Sequence, residues 1–195
     1  MTKFRNKNSG FTLIELMVAT SIFMMVVLAT IGALMITSNA ARESKALRFA
    51  MDNVNFAMDT MTRNIRLGSE YSCVNPTSTS GGSLMFVSNT ADCAAPLSGI
   101  VFTKSGSTGS FDIGYQRVFD NPSGKYIIEK CDSMGCFAIT SSNIDITNLE
   151  FTVSGSDPLD DIQPSVKILL SGTVTVGTKI TNFYLQTLAS QRTFE

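Results

Sequence analysis

The sequence predicts an α+β fold in which one long N-terminal helix packs against an antiparallel β-sheet. An apolar stretch over residues 11–37 is followed directly by an amphipathic helical pattern that reaches residue 68. Beyond Tyr71 the composition changes to Ser, Thr, Gly and Asn, with short β-rich runs between turn signals. These strands are closely spaced and no second long helix follows, which favours antiparallel meanders.

The composition argues against catalysis and against nucleic-acid binding. The chain has no histidine and no tryptophan. This excludes the commonest general base, the usual Ser-His and Cys-His nucleophile pairs and any histidine-containing zinc site. Without Lys3, Arg5 and Lys7, twelve basic and sixteen acidic residues remain, so a clustered basic face is not expected. We therefore predict no enzyme activity, no catalytic residue, no metal and no cofactor.

Residues 11–37 predict a membrane-spanning helix. At ~1.5 Å per residue this stretch would extend ~40 Å, which exceeds the ~30 Å hydrocarbon core of a bilayer. Lys3, Arg5 and Lys7 precede the span, and the next basic residue is Arg42. This asymmetry predicts a single pass through the cytoplasmic membrane, with the N-terminus in the cytoplasm and the bulk of the chain outside.

Two simpler interpretations of this stretch remain open. The first is a secretory signal peptide cut near residues 39–41, although signal h-regions usually contain only ~7 to 15 uninterrupted apolar residues. The second is a plain single-pass anchor in which Glu15 lies near the lipid headgroups. An anchor alone explains the location of the chain but not why a carboxylate follows Gly10 by five residues.

Glu15 is the only ionisable side chain between Phe11 and Ala41. An acidic side chain at the centre of a membrane-spanning helix costs roughly 2.5 to 3.5 kcal/mol, so such a residue is a functional candidate when a partner can be named. The sequence thus predicts a partner for this carboxylate.

Residues 10–16, with the sequence GFTLIEL, directly follow the short basic leader. This motif resembles the processing and methylation site of type IV prepilins and type II secretion pseudopilins, and the chain is identified as a member of that family. The resemblance implies a pilin-like fold. It also implies that prepilin peptidase removes residues 1–10 by cleavage between Gly10 and Phe11, and that Phe11 is then N-methylated.

The same resemblance supplies the partner of Glu15. It implies that this glutamate neutralises the N-terminal amine of a neighbouring subunit, which here is the amine of Phe11. An ammonium and a carboxylate attract strongly at low dielectric, and each alone would be costly in hydrocarbon. Glu15 is therefore expected to set the register between subunits. The expected partners are prepilin peptidase, other pilins or pseudopilins, an inner-membrane assembly platform and membrane lipid.

Residues 38–68 continue the helix as its amphipathic outer half, with Gly68 as the expected C-cap. One apolar stripe follows spacings of three and four residues: Leu47, Met51, Val54, Met58, Met61 and Ile65. We expect the stripe to pack on the β-sheet of the same chain, with its methionines filling the core; a dimeric coiled coil is the alternative. Residues 58–66 resemble the end of the long helix in J-type minor pseudopilins and their pilus counterparts.

Residues 69–195 form the predicted β-rich extracytoplasmic head. A polar loop is expected over residues 75–83, and turn signals such as residues 121–124 and 132–135 separate the later strands. Candidate strands cover residues 84–88, 100–103, 111–119, 126–131, 136–140, 144–153, 166–176 and 180–190.

Four cysteines lie in the predicted head, which favours disulfides in an oxidising compartment. Cys131 and Cys136 flank a four-residue turn between two strands, so a bond across the hairpin is geometrically reasonable. That pairing leaves Cys73 to bond with Cys93. A four-thiolate zinc site is the alternative, although the usual C-x2-C spacing is missing.

The acidic group formed by Asp157, Asp160 and Asp161 admits two interpretations. Some members of the pilin superfamily bind calcium in their heads, and such a loop offers suitable oxygen ligands. The spacing of an EF-hand is missing, however, and a solvated acidic turn is the preferred interpretation.

Together these features predict a structural subunit. It would be a minor pilin or pseudopilin of a type IV pilus or a type II secretion-like filament, assembled from the cytoplasmic membrane as an initiator or tip component. The assembled filament would lie in the periplasm or at the cell surface. The alternative is a membrane-anchored surface binding or adhesion protein with a β-rich head. The sequence does not distinguish a secretion system from a pilus or a DNA-uptake apparatus.

Overall fold

The computed structural model of the chain describes residues 10–76, 92–104, 113–157, 162–177 and 179–192. The chain divides into two compact units, Met1–Lys45 and Ala46–Glu195. One helix, α1, covers Leu13–Arg66 and belongs in part to each unit. The strands that follow it pair antiparallel, so the predicted α+β class is confirmed.

The strands of the second unit form two sheets. In the described residues they are β1 (Gly68–Val74), β2 (Cys93–Leu97), β3 (Gly99–Lys104), β4 (Ile113–Asp120), β5 (Lys125–Asp132), β6 (Gly135–Ala138), β7 (Ile144–Ser154), β8 (Ser165–Val176) and β9 (Lys179–Ser190). One sheet has the order β1-β3-β4-β5-β6, and the other has the order β2-β7-β8-β9. Strands β8 and β9 form the predicted terminal hairpin, paired without a register shift.

The outer half of α1 packs on the sheets of the second unit. Its buried side chains are Ala50, Val54, Ala57, Met58, Met61 and Ile65. Most of them join one apolar cluster that also contains Phe102 of β3 and Phe151 of β7, so the cluster includes both sheets. Leu47 and Met51 are half-buried against it. The predicted stripe therefore faces the strands of its own chain, as expected, and the coiled-coil alternative is wrong.

The predicted C-cap at Gly68 is wrong. Helix α1 ends at Arg66, and Gly68 is the first residue of β1, with a φ outside the left-handed region. The glycine serves packing instead, because a Cβ at this position would collide with the ring of Phe102. A C-cap glycine and a glycine required by a close ring contact look the same in a sequence.

Other groups satisfy the last carbonyls of α1, which an α-helix leaves without partners. The hydroxyl of Tyr71 lies 2.7 Å from the carbonyl oxygen of Ile65. The backbone N–H of Arg192 donates to the carbonyl oxygen of Arg66 at 2.8 Å. The helix end is thus held by β1, which follows it directly in the sequence, and by the segment after β9. The second segment is distant in the sequence but close in space.

Two strands, β1 and β2, lie where the sequence predicts none. Strand β1 is rich in Gly and Ser, which have low β-propensity, and it contains a left-handed residue, Glu70, with φ 55°. Strand β2 contains Pro96, which the edge of its sheet tolerates because an edge N–H needs no partner. The other predicted strands match β3 to β9 to within about two residues, except that residues 84–88, and most of the loop at 75–83, lie outside the described residues.

Two buried tyrosines line the core beside α1. Tyr71 and Tyr115 flank the ring of Phe102, at centroid distances of 5.9 Å and 6.2 Å respectively. Burial raises the pKa of Tyr115 to about 12, an effect that a hydrogen bond from the Asn64 amide partly offsets. Burial also raises the pKa of the Tyr71 hydroxyl above its usual range. Both hydroxyls must stay protonated for the head to keep this core.

These pKa shifts predict alkaline destabilisation of the head. The unfolded chain loses tyrosine protons near pH 10.0, whereas folded Tyr115 keeps its proton until about pH 12. The stabilisation is therefore complete below pH 10 and is lost as the pH rises towards 12, by about 3 kcal/mol for this residue. We expect Tyr115→Phe to lower the free energy of unfolding at pH 8 by about 1 kcal/mol, because Asn64 loses its acceptor, but to flatten the profile between pH 10 and 12.

The full chain is unfolded with urea in a neutral detergent at several pH values, and near-ultraviolet circular dichroism monitors the unfolding. Tyr184→Phe is the matched control, since the Tyr184 side chain is 79% exposed. A control profile that flattens as much as that of Tyr115→Phe would contradict the assignment.

Candidate assembly site

The first turn of α1 is capped by Thr12. The backbone N–H of Glu15 lies 3.4 Å from Thr12 Oγ1, and the N–H of Leu16 donates to the Thr12 carbonyl at 3.2 Å. Helix N-termini favour threonine at this position and a carboxylate in the first turn, where it meets the positive end of the helix dipole. Glu15 is thus placed at the third helical position. The spacing Thr-x-x-Glu is a capping-box pattern, and it is the sequence signal that would have found this cap.

The cap also corrects the predicted start of the helix. Gly10, Phe11 and Thr12 precede α1, which begins at Leu13 rather than at Phe11. The described part of the segment with the predicted cleavage site, residues 10–12, therefore lies outside the helix. Residues 10–12 are exposed to solvent, and the Phe11 side chain is 84% exposed.

The apolar half of α1 has no packing partner among the described residues of its own unit. The described side chains over residues 10–41 are all exposed except that of Val27, which is half-buried. Among the described residues, α1 is the one helix that is long and apolar enough to cross a membrane. An apolar surface of this size on a single chain indicates contact with lipid or with other subunits.

The hydroxyl groups of the span are satisfied within the helix. Each donates to a backbone carbonyl three or four residues earlier, at 2.8 to 3.0 Å. The donors are Thr20, Ser21, Thr30 and Thr37. Such bonds let polar residues enter a bilayer, because no unpaired donor is left in the hydrocarbon.

Glu15 is the exception. Among the described residues, its carboxylate has no hydrogen-bond donor and no cation as a partner. It is exposed on the apolar helix, so whatever neutralises it must come from outside the described residues. The structure brings Gly10, Phe11 and Glu15 together at one end of α1, as the sequence predicts.

These features define a class of protein, with one apolar N-terminal helix that fits a membrane anchor and a β-rich head. Residues 5–36 match the family model of the prokaryotic N-terminal methylation motif. The match confirms the predicted motif and supports the assignment of the chain to the type IV pilin and pseudopilin family. It indicates a structural subunit, and the resemblance of residues 58–66 to J-type subunits stays a prediction. No curated protein and no solved structure matches the chain significantly.

The four cysteines of the head lie in two disulfide pairs. Cys73 of β1 pairs with Cys93 of β2, with a Cα–Cα distance of 6.2 Å, and this pair links the two sheets. Cys131 and Cys136 face each other across the β5–β6 hairpin, at a Cα–Cα distance of 4.0 Å. These are the pairs named from the sequence. Two separate pairs do not fit the alternative of a single four-thiolate zinc site.

A buried polar group lies beside the hairpin disulfide, and sequence reasoning missed it. Glu129 is 3% exposed and accepts a hydrogen bond from Gln116 Nε2 at 3.1 Å. The Glu129 carboxylate and the sulfur atoms of Cys131 and Cys136 lie within 4.8 Å of one another. Because the sulfurs are bonded to each other, the group offers a metal one strong ligand only. The sequence KYIIEKCD of β5 has no strict alternation of apolar and polar residues, so no local signal marks Glu129 as buried.

The predicted acidic turn lies only partly within the described residues. Asp157 is described and exposed, whereas Asp160 and Asp161 are not described. Nearby, the backbone N–H groups of Gly155 and Ser156 donate to the Asp92 carboxylate at 3.1 Å and 2.7 Å. This carboxylate fixes the backbone that follows β7.

The two disulfides should differ in their contribution to stability. Cys73 and Cys93 are separated by 20 residues, and Cys131 and Cys136 by 5. Since a longer closed loop restricts the unfolded chain more, replacing the first pair with serine should lower the free energy of unfolding by about 3 kcal/mol, and replacing the second by about 2 kcal/mol. Urea unfolding of the two double variants measures both. A larger loss for the hairpin pair would contradict the assignment of Cys73–Cys93 as the main link between the sheets.

Proposed function

We propose that this chain is a structural subunit of a type IV pilus or a type II secretion-like filament. The observation that carries the proposal is the unpartnered Glu15 carboxylate on an otherwise internally satisfied apolar helix, directly after a methylation motif. Prepilin peptidase removes residues 1–10 by cutting after Gly10, and Phe11 is N-methylated. Residues 11–37 then anchor the chain in the cytoplasmic membrane, with residues 38–68 and the head of residues 69–195 outside.

The orientation of the chain follows from charge and redox chemistry. Lys3, Arg5 and Lys7 keep the N-terminus in the cytoplasm, where the leader is cut. The paired cysteines of the head fit an extracytoplasmic, oxidising compartment. The exposed, non-helical residues before Leu13 suit a peptidase, since exposed irregular segments are preferred sites of proteolytic cleavage.

Assembly is driven by charge pairing in hydrocarbon. Cleavage creates a new ammonium group at Phe11, four residues before Glu15. Within one chain Phe11 lies in the segment before α1 and Glu15 is the third residue of the helix. The carboxylate of one subunit can meet the amine of the next when the helices pack side by side. The pairing compensates two charges that lipid disfavours and fixes the axial register between subunits.

A minor role within the filament is the finer part of the proposal. Residues 58–66 resemble the helix end of J-type minor subunits, and the two-sheet head is larger than a small major pseudopilin needs. As an initiator, the subunit would stand at or near the tip, where no further subunit covers its head. Its partners are other pilins or pseudopilins and the inner-membrane assembly platform.

The register pair is tested with Glu15→Gln, which removes the charge but keeps the size of the side chain. Truncating one member of a buried ion pair strands the other charge, so incorporation into sheared filaments should fall at least about tenfold. Insertion into the membrane should not change, because the span becomes more apolar. Thr20→Ala is the matched control within the span, since it removes a hydroxyl group that bonds only to its own helix. If Glu15→Gln enters filaments as efficiently as the wild-type chain, the proposed pairing of Glu15 with the Phe11 amine is wrong.

A further inference from the structure

A groove in the second unit lies between the last turns of α1 and the C-terminal end of β9, with a volume of about 750 Å³. Three guanidinium groups line it, those of Arg63, Arg66 and Arg192. In the part of the chain that the structure describes, none of the three forms an ion pair. Asp59 supplies the one carboxylate among the lining residues. The groove therefore has a surplus of positive charge.

Backbone hydrogen bonds fix the spacing of these arginines. Arg192 donates its N–H to the carbonyl oxygen of Arg66 at 2.8 Å, so two arginines from different elements start from adjacent points of the backbone. Next to them, the N–H of Gln191 donates to the Pro164 carbonyl at 2.8 Å, and Gln163 Nε2 donates to the Gln191 carbonyl at 2.6 Å. The wall of the groove is thus built before any ligand arrives, which lowers the entropic cost of binding.

Helix electrostatics explain only part of this cluster. Cations in the last turn stabilise a helix by offsetting its dipole, which accounts for Arg63 and Arg66. Arg192 belongs to no helix, and it adds a third positive charge where like charges repel. Beyond the leader the chain carries more acidic than basic residues, so this concentration is not a general property of its surface.

We propose that the groove binds an acidic peptide segment of another protein. The guanidinium fork matches the two oxygens of a carboxylate, and several arginines in one groove select several acidic side chains. Leu67 and Leu188 add apolar contacts between the charges. A peptide is favoured over nucleic acid because Asp59 lies within the groove and because acidic residues outnumber basic ones beyond the leader, whereas a phosphate backbone requires an extended basic face. The inference goes beyond filament assembly, because it needs neither Glu15 nor a processed N-terminus.

The test measures fluorescence anisotropy on the full, unassembled chain in a neutral detergent. The probe is a labelled peptide of alternating glutamate and leucine, and the same peptide with glutamine in place of glutamate is its control. Arg192→Gln and Arg63→Gln are the test variants. Arg48→Gln is the matched control, since Arg48 is exposed on the same helix but outside the groove.

We expect the glutamate peptide to bind at least about tenfold more tightly than the glutamine peptide, and less tightly as salt is raised. Each groove variant should weaken binding about threefold, and Arg48→Gln should leave it unchanged. Because Arg192 is exposed and lies outside the helix, Arg192→Gln should keep the wild-type unfolding midpoint. Arg63→Gln should lower the midpoint only slightly, because the exposed Arg63 side chain also offsets the helix dipole. Equal binding of both peptides, an equal loss with Arg48→Gln, or tighter binding of a thymidine oligonucleotide would overturn the proposal.

Discussion

A helix that crosses a membrane must satisfy its polar groups from within or from a neighbour, and the apolar half of α1 fits that constraint. Thr12 receives the N–H of Glu15, and the hydroxyl groups further along α1 return to their own backbone. Among the described residues of this apolar half, the Glu15 carboxylate is the strong polar group that still has no partner. Under the proposed function its partner is the Phe11 amine of a neighbouring subunit, which would make the anchor an assembly element.

At the other end of α1, neighbouring elements satisfy carbonyl groups that the helix leaves without partners. The carbonyl oxygens of the last turn are met by the Tyr71 hydroxyl and by the N–H of Arg192. These contacts attach the helix to both of the elements that flank it in the fold, β1 and the end of β9. The bond from Arg192 also sets the positions of the arginines in the groove, so the cap of the helix and the proposed peptide site share one backbone contact.

Much of this architecture could be predicted, because strong periodicity and composition encode it. The apolar run, the stripe through Met58 and Ile65, and strands β3 to β9 follow from local pattern alone. Strand β1 could not be predicted in the same way. Its Ser-rich and Gly-rich sequence has little intrinsic preference for a strand, and it becomes one by pairing with β3. Gly68 was misassigned because its role depends on the ring of Phe102, a residue far along the chain.

The site shows the same division. The motif at residues 10–16 can be recognised from the sequence alone, because it is contiguous and the family model matches residues 5–36. The arginine groove does not, because Arg66 and Arg192 become neighbours only through the fold. The cap at Thr12 is an intermediate case. Its Thr-x-x-Glu spacing is a local sequence signal, but both residues also belong to the methylation motif, which already explains their presence.

The most direct test of the account is the intact mass and N-terminal sequence of the membrane-extracted protein, from cells with and without prepilin peptidase. The account predicts a chain that begins with N-methylated Phe11 when the peptidase is present, and the uncut leader when it is absent. A free N-terminus at Ala41, or an uncut leader in both strains, would contradict assignment to a pilin-type filament.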